Sequence, residues 1–344
     1  MAKSRTPSGH DLESWTEEEF WQKAKASEVR KCLDEGADVM APCSEGQIPL
    51  HLASRYCSAE IVTSLLEVGS DIEAGDYLRF TPLHAAAEMG NADSIRALID
   101  AGAEIDAEDD NGWSPLRVAA QFDAVGVARA LIEAGASVDA PAHDESTPLH
   151  GAAEDGSAEI IKILLDADAD IEAEDHQGWT PLLAAARKGS VESLRALLEA
   201  GANIEASNEY GNTALHLAAT VGPPTQTIFT LLFYIDAKLR ADRNAGKSAA
   251  NPPEKNKAGA AVKVMLEAGA DIEARSQFGF TPILAAAARG TPEDVRALIQ
   301  AGADLRAQTP DGKFAADLAE KNPNVREHKI FRLLDEARSQ DLLL

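Results

Sequence analysis

The chain has 344 residues and a formal net charge of −25, from 57 acidic and 32 basic side chains. A surface this acidic repels phosphate backbones and anionic lipid headgroups, which sets nucleic acid and membranes aside as partners. Aromatic residues supply only 5% of the chain, so any core must be built from Ala, Leu, Ile and Val, and the three cysteines, Cys32, Cys43 and Cys57, make no disulfide framework and fit a reducing compartment.

Residues 1–11 are expected to be disordered. The opening MAKSRTPSGHDLESWTEEE lacks the apolar h-region of a secretory signal, and no stretch reaches the roughly 18 apolar residues of a membrane span. A soluble, cytoplasmic protein is the expectation, with export as an effector left open. From residue 48 the chain repeats with a period of 33: IPLHLA at Ile48, TPLHAA at Thr81, SPLRVA at Ser114, TPLHGA at Thr147, TPLLAA at Thr180 and TALHLA at Thr213. TPILAA follows at Thr281 and a worn FAADLA at Phe314.

Each copy predicts two short helices. Thr81 is an N-cap, Pro82 sits where its missing N–H is harmless, and Gly90 can end the first helix. Ile95, Leu98 and Ile99 share one face of a second helix closed by Gly102. Neither helix is long enough to persist alone, so stacking on neighbours must stabilise both.

A 33-residue unit of a turn and two helices carrying T-P-L-H-x-A resembles the ankyrin repeat. The resemblance implies an all-α solenoid of helix-turn-helix units running through residues 12–344. Its parts are an N-terminal cap (12–47), repeats from 48, 81, 114, 147, 180, 213, 248 and 281, and a C-terminal cap (314–344), about ten units. The repeat at 248 is the open point. Thr213 and Thr281 lie 68 residues apart, which reads either as two repeats, the second with its first helix replaced by ANPPEKNKAG, or as one repeat with a 35-residue insertion. The first reading is preferred, because Val262, Met265 and Leu266 fall where Ile95, Leu98 and Ile99 fall. Pro252 and Pro253 make the irregular stretch 237–261 a loop in either case.

The resemblance also implies that His51, His84, His150 and His216, at the fourth motif position, bridge backbone groups and are neither catalytic nor ligands. No cofactor, metal or catalytic residue is expected. His143 and His176, one period apart in successive hairpin tips, lack a third and fourth ligand, and Gly246-Lys247-Ser248 lacks the rest of a phosphate loop. The family binds partner proteins on the concave face, through hairpin tips and the exposed side of the first helices. In this chain those positions carry Tyr56, Tyr77, Phe80, Met89, Trp113, Phe122, Trp179, Tyr210, Phe278 and Phe280, with His143, His176, Arg187 and Lys188 beside them. Phe80, Trp113, Trp179 and Phe280, just before each helix cap, can equally cover the next repeat. Glu73, Asp106, Asp139, Glu172, Glu205 and Glu273 recur in one register as an acidic row, read either as solubility or as steering of a basic partner.

The expectation is a monomeric scaffold or inhibitor that holds another protein, one with a basic surface. The alternative is self-assembly through residues 237–263, which hold seven basic and two acidic side chains, against the acidic surface. An enzyme or metal protein is the least supported class.

Overall fold

The computed structural model describes residues 12–220 and 259–341. It is all-α: among the described residues the β pairing amounts to two isolated antiparallel bridges, Ser207–Thr213 and Gln308–Phe314. Two compact bodies form, Met1–Pro181 and Leu182–Leu344.

In the N-terminal body each repeat supplies a first and a second helix: α3 (Pro49–Tyr56) and α4 (Ala59–Glu67), α5 (Pro82–Glu88) and α6 (Ala92–Asp100), α7 (Pro115–Gln121) and α8 (Val125–Glu133), α9 (Pro148–Asp155) and α10 (Ala158–Asp166). First helices pack on first helices and second on second, which makes two layers. The periodic residues do this: Leu83, Ala86, Ile95 and Leu98 are fully buried, and so are Leu116, Ala119, Ala128 and Leu131 one period later. Small alanines in the first helices allow the layers to approach closely. Thr81 caps α5 as expected, accepting from the His84 N–H, and Pro82 opens the helix.

The cap formed by α1 (Glu18–Trp21) and α2 (Ala26–Asp34) closes the stack with aromatics. Trp21 is fully buried, meets Trp15 edge-on at 4.8 Å and donates its indole N–H to the Trp15 carbonyl. Cys57 occupies the turn position that Gly90 holds one repeat later, and its thiol donates to the Trp21 carbonyl at 3.3 Å. Burial pushes that thiol up to about 12, so Cys57 ties the cap to the first repeat and is a poor nucleophile.

Successive hairpins are laddered. The N–H of Tyr77 donates to the Glu45 carbonyl, Asp110 to Leu78, His143 to Asn111 and His176 to Asp144, all at 2.9–3.0 Å. The acidic row makes a second ladder below the tips: Glu73 accepts from the Glu104 N–H at 2.8 Å, Asp106 from Ser137, and Asp139 from Asp170. Those carboxylates hold neighbouring turns together, and surface charge is their second property.

The C-terminal body comprises α11 (Pro181–Lys188) from Leu182 on, α12 (Val191–Glu199), α13 (Ala214–Ala218), α14 (Ala260–Glu267), α15 (Pro282–Arg289), α16 (Pro292–Gln300) and the closing helices α17 (Ala315–Ala319), α18 (Pro323–Arg326) and α19 (Phe331–Asp341). The same ladders correct the preferred reading of 213–280. His216 Nε2 meets the Phe280 carbonyl across 64 residues, whereas His84 meets the Trp113 carbonyl across 29. Glu205 accepts from the Asp271 N–H across 66 residues, whereas Glu73 reaches Glu104 across 31. Both excesses are 35. The hairpin before Thr281 therefore sits directly on the hairpin before Thr213, and no repeat stands between them. Accordingly α14 packs on α12, α13 and α16 as the second helix of the repeat begun at Thr213. Among the described residues there is one unit fewer than the period gives, and residues 221–258 fall within the repeat begun at Thr213. The loop 237–261 lies outside the described residues for all but its last three positions.

Both ends of the insertion are held by one turn of the following repeat. A Cβ on Gly290 would lie 2.3 Å from the Ala219 carbonyl oxygen, so only glycine permits this approach to the end of α13. Asp294, buried in α16, accepts from the Gly259 N–H at 3.0 Å, where α14 begins. Excising residues 222–256 should thus leave a folded chain. Loop-closure entropy predicts stability equal to wild type or up to about 2 kcal/mol higher. Denaturant unfolding followed by circular dichroism tests this; loss of the C-terminal body on excision would restore the separate repeat.

Candidate protein-binding surface

The motif histidines are consumed by the skeleton. His84 is completely buried; its Nδ1 accepts from the Thr81 N–H at 3.2 Å and its Nε2–H reaches the Trp113 carbonyl at 2.9 Å. His51, His150 and His216 make the same two contacts, ending on the Phe80, Trp179 and Phe280 carbonyls. A backbone N–H must find a lone pair on Nδ1, so the geometry demands the neutral ring. Burial drives all four rings below their ordinary value.

One repeat breaks the pattern. Arg117 stands in the histidine position of α7 and is only 4% exposed. Its guanidinium carbon lies 4.4 Å over the Trp113 ring, and Nη1 donates to Gln121 Oε1 at 2.8 Å. Burial pulls the group below its usual value, while Glu154, Asp144, Asp155 and Asp109 pull it back up; it remains a cation. Room for it comes from the next repeat, where Gly151 replaces a larger residue: a Cβ there would lie 2.1 Å from Nη1. Both departures are visible in SPLRVA and TPLHGA, but nothing in the motif says that they face each other.

The candidate residues divide by burial. Tyr77 is 79% exposed, and Met89, Phe122, Tyr210 and Phe278 are each at least 41% exposed, all at hairpin tips or first-helix ends. Leu78, beside Tyr77, joins them; its sequence neighbours gave no signal beyond its place in the turn. Phe80 takes the covering role, one of the two that the sequence left open. It is 7% exposed and packs on the His84 ring at 5.0 Å, because its carbonyl must sit under His51. Trp113, Trp179 and Phe280 are half-buried for the same reason. Tyr56 is half-buried and its hydroxyl donates to Glu18 of the cap. His143 and His176 are exposed at the tips, with His176 Nδ1 3.4 Å from Glu145. Among the described residues no group of three or more His, Cys, Asp or Glu could hold a metal ion. Arg187 and Lys188 are exposed in the last turn of α11, where cations suit the helix dipole.

Among the described residues, no helix is long and apolar enough to cross a membrane. Recesses between α4 and α6 and beside α1 are open to solvent.

Comparison with known proteins agrees with this geometry. Two curated proteins match short stretches. Protein phosphatase 1 regulatory subunit 27 of Homo sapiens is 39% identical over 66 residues, 19% of this chain and 42% of that protein. The Mus musculus protein of the same name is 42% identical over 57 residues, 17% and 37% of the two lengths. The chain thus spans less than half the length of these relatives. The crystal structure of the human ASB11 ankyrin repeat domain superposes with a TM-score of 0.57 at 28% identity, covering 74% of this chain and 97% of that domain. The family model for ankyrin repeats (3 copies) matches at residues 22–109, 76–142, 101–175 and 149–242, well over half the chain. With its capped helix pairs, bridging histidines and laddered hairpins, the chain belongs to the ankyrin-repeat family, whose repeats are protein-interaction modules.

Proposed function

We propose that this chain is a non-catalytic scaffold or inhibitor that holds another protein on its hairpin tips and the exposed ends of its first helices. The carrying observation is the placement of Tyr77, Leu78, Met89 and Phe122, and of Tyr210 and Phe278, on solvent-facing positions of a skeleton whose core is otherwise complete. Exposed aromatic side chains at such positions are costly in water and typical of interface hot spots. The matched relatives are named as regulatory subunits, which supports a regulatory role. A basic partner surface and a monomeric, cytosolic protein belong to the same reading.

The test uses exposed residues rather than Trp113 and Trp179, whose half-buried rings confound binding with stability. Tyr77→Ala with Phe122→Ala should weaken capture of the partner retained from a native lysate by about tenfold or more, as hot-spot truncation does, with unchanged unfolding. Undiminished affinity in the folded double variant would falsify the site.

A further inference from the structure

The charge of the molecule is concentrated. Residues 1–181 hold 37 of the 57 acidic and 12 of the 32 basic side chains, and with them the entire net charge of −25; residues 182–344 hold 20 of each. Within the N-terminal body the cations are also partitioned by element. On the second helices, Arg96 lies 3.5 Å from Asp93 and Arg129 lies 3.2 Å from Glu159. On the first helices, Arg55 is largely buried 2.7 Å from Glu88, and Arg117 is buried under Trp113. Between Asp71 and Thr180 the hairpins and first helices consequently expose one cation, Arg79, against Glu108, Asp110, Asp144, Glu145, Asp155 and Glu174. Partial burial opposes ionisation of Asp144, but the hydroxyl and N–H of Ser146 hold its carboxyl below the usual range. These same elements carry Tyr77, Leu78, Met89 and Phe122.

We infer that the hairpin and first-helix surface of residues 71–180 docks a cationic segment of a partner protein, whose Lys and Arg side chains meet the tip carboxylates while interspersed apolar side chains meet Tyr77, Met89 and Phe122. The inference rests on the protein-binding reading above and specifies the partner's chemistry and the half of the chain that receives it. A second copy docking through the same surface does not fit, because that surface is equally acidic. Nucleic acid and anionic lipid are repelled. Long-range attraction of this kind raises the association rate and fades with salt, whereas apolar anchors set the dissociation rate.

The experiment measures fluorescence anisotropy of a labelled 20-residue peptide alternating Lys or Arg with Leu or Phe, against the full chain. Expected are binding that weakens by about tenfold or more between low and physiological salt and a comparable loss in Glu108→Gln/Asp110→Asn/Glu174→Gln. A matched triple outside residues 71–180, Glu199→Gln/Glu327→Gln/Glu336→Gln, should change affinity less than about twofold, as charges that make no contact with the peptide do in salt. Equal effects of the two triples, or no binding of the cationic peptide at low salt, overturn the inference. So does equal binding of a peptide with Gln in place of every Lys and Arg. If the Gln peptide binds equally and Tyr77→Ala/Phe122→Ala still abolishes capture, the protein-binding site stands and only its cationic preference fails. If capture also survives that double variant, the site itself fails.

Discussion

Gly151→Ala should destabilise the wild-type chain by about 2 kcal/mol and stabilise the Arg117→His chain by up to about 1 kcal/mol. In the wild type the added methyl collides with Arg117 Nη1, and the guanidinium cannot swing out without leaving Trp113, Gln121 and its surrounding carboxylates. Overpacking of this kind costs about 1–3 kcal/mol. In the other direction, glycine inside a helix is about 0.5–1 kcal/mol worse than alanine. A histidine at 117 has the shape that the neighbouring repeats carry: in the register that sets Gly151 against Arg117, 34 residues on, His51 is followed by Ala85 and His84 by Val118. The sign of the glycine substitution should thus reverse between backgrounds, with a coupling of about 2–3 kcal/mol. Denaturant unfolding of the four chains reads it directly. The same sign in both backgrounds would mean that Gly151 is not there for Arg117.

Acidification from pH 7 to pH 5 should weaken the N-terminal body far more than the C-terminal one. His51, His84 and His150 belong to the first body, and burial holds each below the ordinary 6.5. Their nearest charges do not reverse this: Asp76 and Asp109 favour protonation, Arg55 and Arg117 oppose it. The unfolded state then binds more protons than the folded state below pH 6.5. The rings' contribution is complete above that value and is lost progressively as the pH falls from it towards the lowered folded values. One proton per ring sets a limiting slope of about 1.4 kcal/mol per pH unit, or about 4 for three rings.

The second body has His216 with the same sign, but also Asp294. Desolvation raises that carboxyl to about 6 despite the hydrogen bonds from Thr291 and Gly259, with Glu293 beside it. A folded value above the ordinary 3.8 means that the native state takes up this proton first, so Asp294 adds stability as the pH falls from about 6 towards 4 and offsets His216. All four tryptophans, Trp15, Trp21, Trp113 and Trp179, lie in the N-terminal body. Their fluorescence reports that body alone, while circular dichroism reports both. The fluorescence midpoint should fall more steeply with acid than the dichroism midpoint, in about 0.2 M salt to screen self-repulsion. A flat fluorescence midpoint between pH 7 and 5 would show that the rings are not neutral bridges. Asp294→Asn should abolish the offset in the second body.

The repeat architecture was legible from residue types alone, because each device acts within a few positions. Thr81, Pro82 and His84 define a helix start through local backbone geometry, and Ile95 and Leu98 define a buried face through helical period. The candidate surface was legible only in part. Tyr77, Phe122 and Phe278 are exposed, since a variable residue on a constant skeleton faces outward unless something covers it. For Phe80 the sequence left exposure and cover of the next repeat equally open, because its burial depends on where the His51 ring of the preceding repeat needs a carbonyl. The acidic row was legible as a row, but its hydrogen bonds to neighbouring turns were not.

Sequence by itself determined the period, the two-helix unit, the structural use of the histidines and the family. Tertiary structure alone decided three matters. The insertion inside the repeat begun at Thr213 was hidden because α14 carries the same buried-face pattern whichever first helix it follows; only the pairing of Glu205 with Asp271 and His216 with Phe280 settles the register. The Arg117–Gly151 pair was hidden because local periodicity records which face a residue occupies, not which side chain lies opposite. The enclosure of Arg55 and Arg117 was hidden because net charge is a sum over sequence, whereas a partner meets only the charges that packing leaves in water.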